Sequence, residues 1–383
     1  MNLNGYHRSN GLYGVRNLVV VMAAADNVNP LARTLARLNP GTVCVPASYG
    51  RGQLGRDFDV TLSTMSGLAG HPNVANTLIV SFEPESAQRI ASRVAGMGRD
   101  VETLSLLQVG GVTRAIELGG RMLHAMHERA AECAREPMDM RDLLIGLECG
   151  GSDTSSGLVG NPSLGMFTDD VINAGGTAIF SEPVECLGGE FLLTSRAVSA
   201  QVAEKIADAV ARYRDIALDQ GIDLTGVNPT PDNMAGGLTT IEEKSLGAIA
   251  KTGTQPIQGV LGYGEKPARA GLWLMEAPAA AVENITALSA AGAQIIMFVT
   301  GSCNPVGHPL SPTIKICANP NTTRSMSEHI DVDLSNGLLS RFTLQEGADQ
   351  IADMCANVAN GHLTAAEQLD FLESNISRFG LSV

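Results

Sequence analysis

Aromatic side chains make up only 4% of this 383-residue sequence, with a single Trp. Basic residues are also scarce: 26 Lys and Arg stand against 40 Asp and Glu, a formal net charge of −14. Neutralising phosphates takes clustered cations and stacking bases takes aromatics, so no nucleic-acid partner is expected. No apolar run approaches the ~20 residues that span a bilayer. The opening MNLNGYHRSNGLYGVRN lacks the apolar core of a signal peptide, so no membrane association is expected either. The seven cysteines (44, 133, 149, 186, 303, 317 and 355) are odd in number and contain no C-x-x-C pair. That argues against a disulfide framework or a zinc ribbon and for free thiols in a reducing cytoplasm. There is no G-x-G-x-x-G at the first strand–helix turn and no P-loop, so no nucleotide cofactor is expected. Tandem repeats and low-complexity tracts are also missing.

What is present is enough apolar material for more than one core: 44% of residues are hydrophobic and mean hydropathy is +0.08. Short apolar runs at 18–25, 41–47, 76–84, 101–108 and 143–150 read as buried strands. Helical periodicity fills 26–38, 86–98 and 113–136 between them. Such alternation predicts an α/β fold with a doubly wound, mainly parallel sheet over residues 1–145. A second α/β domain is expected over 146–383, with strands at 177–185, 271–278, 294–301 and 312–319 and amphipathic helices at 195–220 and 349–360. The stretch 228–253 reads as a long irregular segment, and ordered segments of that kind are usually functional.

Ligands of parallel sheets sit at the carboxyl ends of the strands, and the polar turns there are the candidate sites. ECGGSDTSSG (148–157) packs acids, a thiol, hydroxyls and glycines behind a strand, which suits an anion approached by backbone N–H groups or an ordinary capped helix start. SYGRGQLGRD (48–57) offers Arg51 and Arg56 as planar forks for a carboxylate, or a solvated loop. TGSCNPVGHPLSPTIK (300–315) brings Cys303, His308 and Lys315 together. A buried thiol with a surface His explains the first two, and the cation invites an anionic partner. TTIEEKSLGAIAKTG (239–253) carries Glu242, Glu243, Lys244 and Lys251 as either a solvated helix or a site. His124 and His127, at i, i+3 on a helix, read as surface residues rather than metal ligands.

Several of these strings occur in order in one family. GYHRSNGLYGVRN, GLECGGSDTSSGLVGNPSLG, DNMAGGLTTIEEKSLG with its later KTG, and FVTG…NP…G…PTIKICAN together resemble the altronate/galactarate dehydratase family, which includes the large subunit of sulfolactate sulfo-lyase. The resemblance runs from about Gly5 to the end. It implies a lyase that removes water, or sulfite, from a small 2-hydroxy or sugar acid to give a 2-oxo acid. A non-catalytic sugar-acid-binding or scaffold subunit is the reading from a different class. Carried over by motif, Lys244, Lys315, Glu148, Cys149 and Asp153 are the expected catalytic residues. Arg16, Asn17, Arg51, Ser152 and Asn304 would bind the small carboxylic acid.

Fused members of the family carry a small amino-terminal domain that this sequence lacks, which implies a separate small subunit as partner; an oligomer is also expected. Members are typically iron-dependent, so a divalent metal is a candidate cofactor. Yet three family cysteines correspond here to Asn27, Arg51 and Pro84, which leaves Glu85 and Cys149 as the nearest candidate ligands. Loss of three thiolates together argues against an iron–sulfur cluster.

Overall fold

The computed structural model describes residues 2–338, 342–380 and 382–383. A short hairpin, β1 (Leu3–His7) and β2 (Tyr13–Gly14), leads into the buried strand β3 (Leu18–Ala23). Next come α1 (Asn29–Leu38), β4 (Thr42–Val45), α2 (Gly55–Ala69), β5 (Val74–Ser81), α3 (Pro84–Gly96), β6 (Glu102–Ser105) and α4 (Val112–Ala131). These strands form a parallel sheet in the order β4-β3-β5-β6. β7 (Glu136–Met138) returns to pair antiparallel with β1, closing a separate three-stranded sheet.

The second sheet is larger. It contains β8 (Leu144–Cys149), β9 (Thr177–Phe180), β10 (Ile257–Leu261), β11 (Gly271–Met275), β12 (Ile295–Val299), β13 (Thr313–Cys317) and β14 (Val332–Asp333). All seven are parallel, ordered β10-β11-β9-β8-β12-β13-β14. Strands such as β12, IIMFV, are buried at every position because helices cover both faces. Helix α5 (Asn161–Asn173) joins β8 to β9 over one face. α6 (Ala200–Asp219) and α7 (Ile241–Ile249) follow β9, and α8 (Ala281–Ala290) joins β11 to β12 across the other face. The chain therefore turns in opposite directions on either side of β8, and β8 and β12 flank the point where ligands of such sheets bind. α9 (Leu344–Ala359) closes the α5 side.

The two sheets share a core. Val20 and Ile79 of the first pack in one cluster with Met275, Leu288 and Phe298 of the second. Gly67 of α2 lies against the Ala290 carbonyl of α8, where a Cβ would collide. Residues 228–253 are not irregular: Pro231–Ala235, α7 and the 3₁₀ turn Ala250–Thr252 make most of the segment helical. Polar caps produce this, with Thr230 and Thr240 accepting from the N–H of Asn233 and Glu243. The strand expected over 177–185 ends at Phe180, because Glu182 turns the chain with a left-handed φ of 64°.

Candidate functional site

The carboxyl edge of the seven-stranded sheet gathers three of the sequence strings, 148–157, 239–253 and 300–315. β8 ends on Glu148 and Cys149, whose side chains point to opposite faces as pleating requires. On the α8 face, Glu148, Phe298 and Lys315 lie side by side across β8, β12 and β13. Lys315 is fully buried. Its Nζ donates to the Val306 carbonyl at 2.6 Å and stands 3.4 Å above the Phe298 ring. Burial lowers its pKa to about 7, against the pull of the neighbouring Glu148. Neither carboxylate oxygen of Glu148, itself fully buried, has a hydrogen-bond partner among the described residues. Burial, reinforced by Glu182, raises its pKa well above the usual carboxylate range, which favours its protonated form.

On the α5 face Cys149 meets Lys251. The Lys251 ammonium donates to Glu182 at 2.7 Å and to the Cys149 sulfur at 2.9 Å. Burial works to discharge this lysine, but the Cys149 sulfur and the Glu182 and Glu148 carboxyl groups around it outweigh that and raise its pKa. Burial pushes the Cys149 thiol up as well, and Glu182 adds to that. Burial also raises Glu182 itself, against the pull of Lys251, and it is their 2.7 Å contact that makes Lys251 and Glu182 the ion pair. Three residues on, Glu185 pairs with Lys244 at 2.9 Å, and Asn228 accepts from the same ammonium at 2.7 Å. One short turn, Pro183–Cys186 with Glu182 at its start, thus places the carboxylates of Glu182 and Glu185 opposite two lysines two helical turns apart.

The glycine-rich strings make this packing possible. Gly157 and Gly247 let the π-helical turn Ser156–Gly160 cross α7 in backbone contact. Gly253 holds φ 62°, and a Cβ there would strike Asp169 and the Gly165 carbonyl. The KTG string is therefore a buried cation followed by a turn that only glycine fits.

Other expected site residues have structural duties. The Asp153 carboxylate accepts from Ser155 Oγ (2.6 Å), Ser156 N (2.9 Å) and Asn319 Nδ2 (2.7 Å), so it starts a helix and ties two strand ends together. Ser152 offers its carbonyl to Asn233, and Asn304 accepts from the Val306 N–H in the loop that roofs Lys315. Arg16 and Asn17 lie at the amino end of β3, the opposite edge from the ligand-binding one. Arg16 forks onto Glu367 with two 2.8 Å bonds and caps the carbonyls of Val358 and His362. Asn17 bridges Arg8 and the Ala130 carbonyl. Arg16→Gln should therefore lower stability by ~3 kcal/mol, as for a broken buried pair. Activity per folded molecule should not change, which a denaturation curve run beside a kinetic assay checks. His308, expected at the surface, is buried, and its Nδ1 accepts from the Leu310 N–H.

Arg51 and Glu85 belong to another place, a cavity of about 520 Å³ at the carboxyl edge of the four-stranded sheet. Glu85 and Cys149 are thus on different sheets and do not converge. Among the described residues no three His, Cys, Asp or Glu side chains come together to hold a metal, and the sulfur of Cys149 already faces an ammonium. This donor set does not fit an iron ion.

The profile of "D-galactarate/altronate dehydratase, C-terminal" matches residues 140–382, and that of "D-galactarate dehydratase/altronate hydrolase, second domain" matches residues 5–131. The chain belongs to the D-galactarate/altronate dehydratase family. Among its relatives is the (2R)-sulfolactate sulfo-lyase subunit beta of Chromohalobacter salexigens, 39% identical over 98% of this chain and 96% of that one. The altronate dehydratases of Bacillus subtilis and Escherichia coli are each 33% identical over 99% of this chain and 78% of theirs. Membership places the chain among lyases. Glu182 and Glu185, which hold the two lysines, are acids that the motifs did not single out. The only signal for them was a pair of acids three apart directly behind the strand TAIF. No helix among the described residues is long and apolar enough to cross a membrane.

Proposed function

We propose that this chain is the catalytic component of a lyase that removes water from the β-position of a small 2-hydroxy carboxylate, giving a 2-oxo acid after tautomerisation. The observation that supports it is the Glu148–Lys315 pair. An elimination needs a base for the proton α to the carboxylate and an acid for the departing hydroxyl. Lys315, with its pKa near 7, is neutral often enough to take the proton. Protonated Glu148 can supply one to the leaving oxygen, which would otherwise depart as hydroxide. Substrate reaches the pair when the loop 300–307, which carries Cys303 at φ 68° and the Val306 carbonyl over Lys315, lifts away.

The balance is simple: the α-proton goes to Lys315, the β-C–O bond breaks, and the hydroxyl leaves with the Glu148 proton as water. The resulting enol takes a proton on carbon to become the 2-oxo acid. Sulfite as leaving group is the second reading, favoured by the 39% identity to a sulfo-lyase subunit over nearly the whole of both chains. Sulfite departs without protonation, so the readings differ at Glu148. Incubation with altronate, galactarate and sulfolactate, followed by 2-oxo acid and sulfite detection, separates them. Glu148→Gln should slow water loss at least 100-fold, in line with the loss of one acid catalyst, yet leave sulfite release nearly intact. If none of these acids yields a 2-oxo acid, with or without a partner subunit like the one the sulfo-lyase relative's name implies, the lyase reading falls.

We further propose that the chemistry is run by side chains rather than by iron, because the donor set fits no such ion. Turnover should survive exhaustive chelation, and re-addition of ferrous iron should leave the rate within about twofold. A rate restored more than tenfold by iron would overturn this.

A further inference from the structure

We infer that the cavity at the carboxyl edge of the four-stranded sheet is a second binding site, for a small polyhydroxy carboxylate. It is about 520 Å³, within the usual range for a bound small molecule, and none of its lining residues belongs to the Glu148–Lys315–Lys251 cluster. Its walls come from the segments after β3, β4 and β5, the edge at which parallel sheets take ligands.

Donors dominate the lining. Arg51 and Arg89 both border the cavity, and neither has an acidic partner within ion-pair distance among the described residues. Helices α2 and α3 both begin at it, and neither N-cap residue, Leu54 or Glu83, provides a side-chain cap. The first-turn N–H groups of α2, and those of Glu85 and Ser86 behind Pro84 in α3, are thus left for a ligand, with the helix dipoles favouring negative charge. Two further polar atoms of the lining, Gln53 Nε2 and Thr61 Oγ1, are buried without a hydrogen-bond partner. Buried donors without partners are costly in a native fold, and a ligand oxygen would satisfy them.

The acceptors choose among anions. Glu83 and Glu85 also line the cavity, and carboxylates would repel a bare sulfate or phosphate while accepting from hydroxyl groups. Guanidinium for the acid end and carboxylates for the hydroxyl end describe a polyhydroxy acid better than an inorganic anion. Residues beyond β14 tie this wall to the roof of Lys315. Gly307 exchanges backbone hydrogen bonds with Phe371 and Glu373, Ile376 donates to Ser48, and Val383 donates to the Gly52 carbonyl. Occupancy of the cavity therefore bears on the loop that must lift for the reaction.

The choice of a hydroxy acid rests on the proposed activity, so binding and turnover are measured apart. The full chain is titrated calorimetrically with gluconate, galactarate and glycerate, and with propionate and inorganic sulfate as comparators. At least one hydroxy acid should bind, and Arg51→Gln and Arg89→Gln, both exposed positions, should each weaken it about tenfold or more without altering the melting temperature. Binding indifferent to both substitutions, or no binding of any of the three acids, overturns the site. Sulfate or propionate binding as tightly as the best hydroxy acid overturns its chemistry. If binding depends on Arg51 while no acid is converted, the lyase reading fails and the site stands. Turnover with binding indifferent to the arginines gives the reverse.

Discussion

Replacing Lys251 by Met should cost ~3–5 kcal/mol, the usual penalty for removing one partner of a buried ion pair. For a chain of this size that is a fall of roughly 5–15 °C in melting temperature. The side chain itself would be well accommodated, since methionine has nearly the length of the lysine stem. The cost comes from Glu182, which is 1% exposed and keeps no other cation in hydrogen-bond contact among the described residues. Its carboxylate would have to take up a proton to stay inside. Glu182 also holds a left-handed backbone conformation, a strain of ~1–3 kcal/mol for a residue with a Cβ. The bond to Lys251 and the contact with the Cys149 N–H are what keep it there. A double variant, Lys251→Met with Glu182→Gln, removes both charges and should recover most of the loss. Chemical denaturation of the two single variants and the double gives the coupling, expected at ~1–3 kcal/mol. Additive losses would mean that the 2.7 Å contact is not an energetic unit.

That pair also shows where a sequence alone runs out. Most strands of the two parallel sheets were legible because each is a short, continuous apolar run, and their alternation with helices named the fold; β10, with Gln258 and Gly259 inside it, and the two-residue β14 carried no such run. The ECGGSD turn was legible as a strand end for the same reason. Lys251 and Glu182 are 69 positions apart. No spacing rule joins them; the fold does, by bringing the turn after β9 under α7 and its 3₁₀ extension. FSEPVEC read as more strand because its apolar residues continue the pattern, while the left-handed Glu182 that ends β9 leaves no trace in residue types. Helix α8 escaped notice because every residue from Asn284 to Ala290 is buried, which removes the polar face that betrays an amphipathic helix. Arg16 and Asn17 failed in the other direction. A conspicuous RN string looked chemical, and its residues instead tie the amino end of β3 to segments more than 110 positions away. Polar residues in family strings are thus of two kinds, and only the hydrogen-bond partners tell them apart. Asp153 is spent on backbone and hydroxyl donors, whereas Glu148 and Lys315 are buried with capacity to spare.

Lys315→Met should do opposite things to stability and to activity. A fully buried amine with its pKa lowered to about 7 is a charge the fold carries at a cost. In the unfolded chain the same amine titrates near 10.4. Between those two values the unfolded state binds the extra proton, so the stability of the parent rises with pH across that window, and below pH 7 the full penalty is present. Methionine removes the penalty, and the variant should be more stable by ~1–4 kcal/mol at pH 6, as when buried charges give way to apolar residues of similar volume. The advantage should shrink steadily from pH 7 to 10 as the parent sheds its proton. Glu148 works with the opposite sign, since its raised pKa costs stability as pH climbs above the usual carboxylate range, and losing Lys315 raises that pKa further. The comparison is therefore made between the two proteins at each pH rather than on either curve alone. Turnover, by contrast, should fall at least 100-fold, the ~3 kcal/mol expected when one group that acts in the transition state is lost. A residue kept at the expense of stability and needed for rate is the signature of a reaction centre. Should the Met variant be both less stable and fully active, Lys315 is a structural cation holding the Val306 carbonyl, and the Glu148–Lys315 reading of the reaction falls.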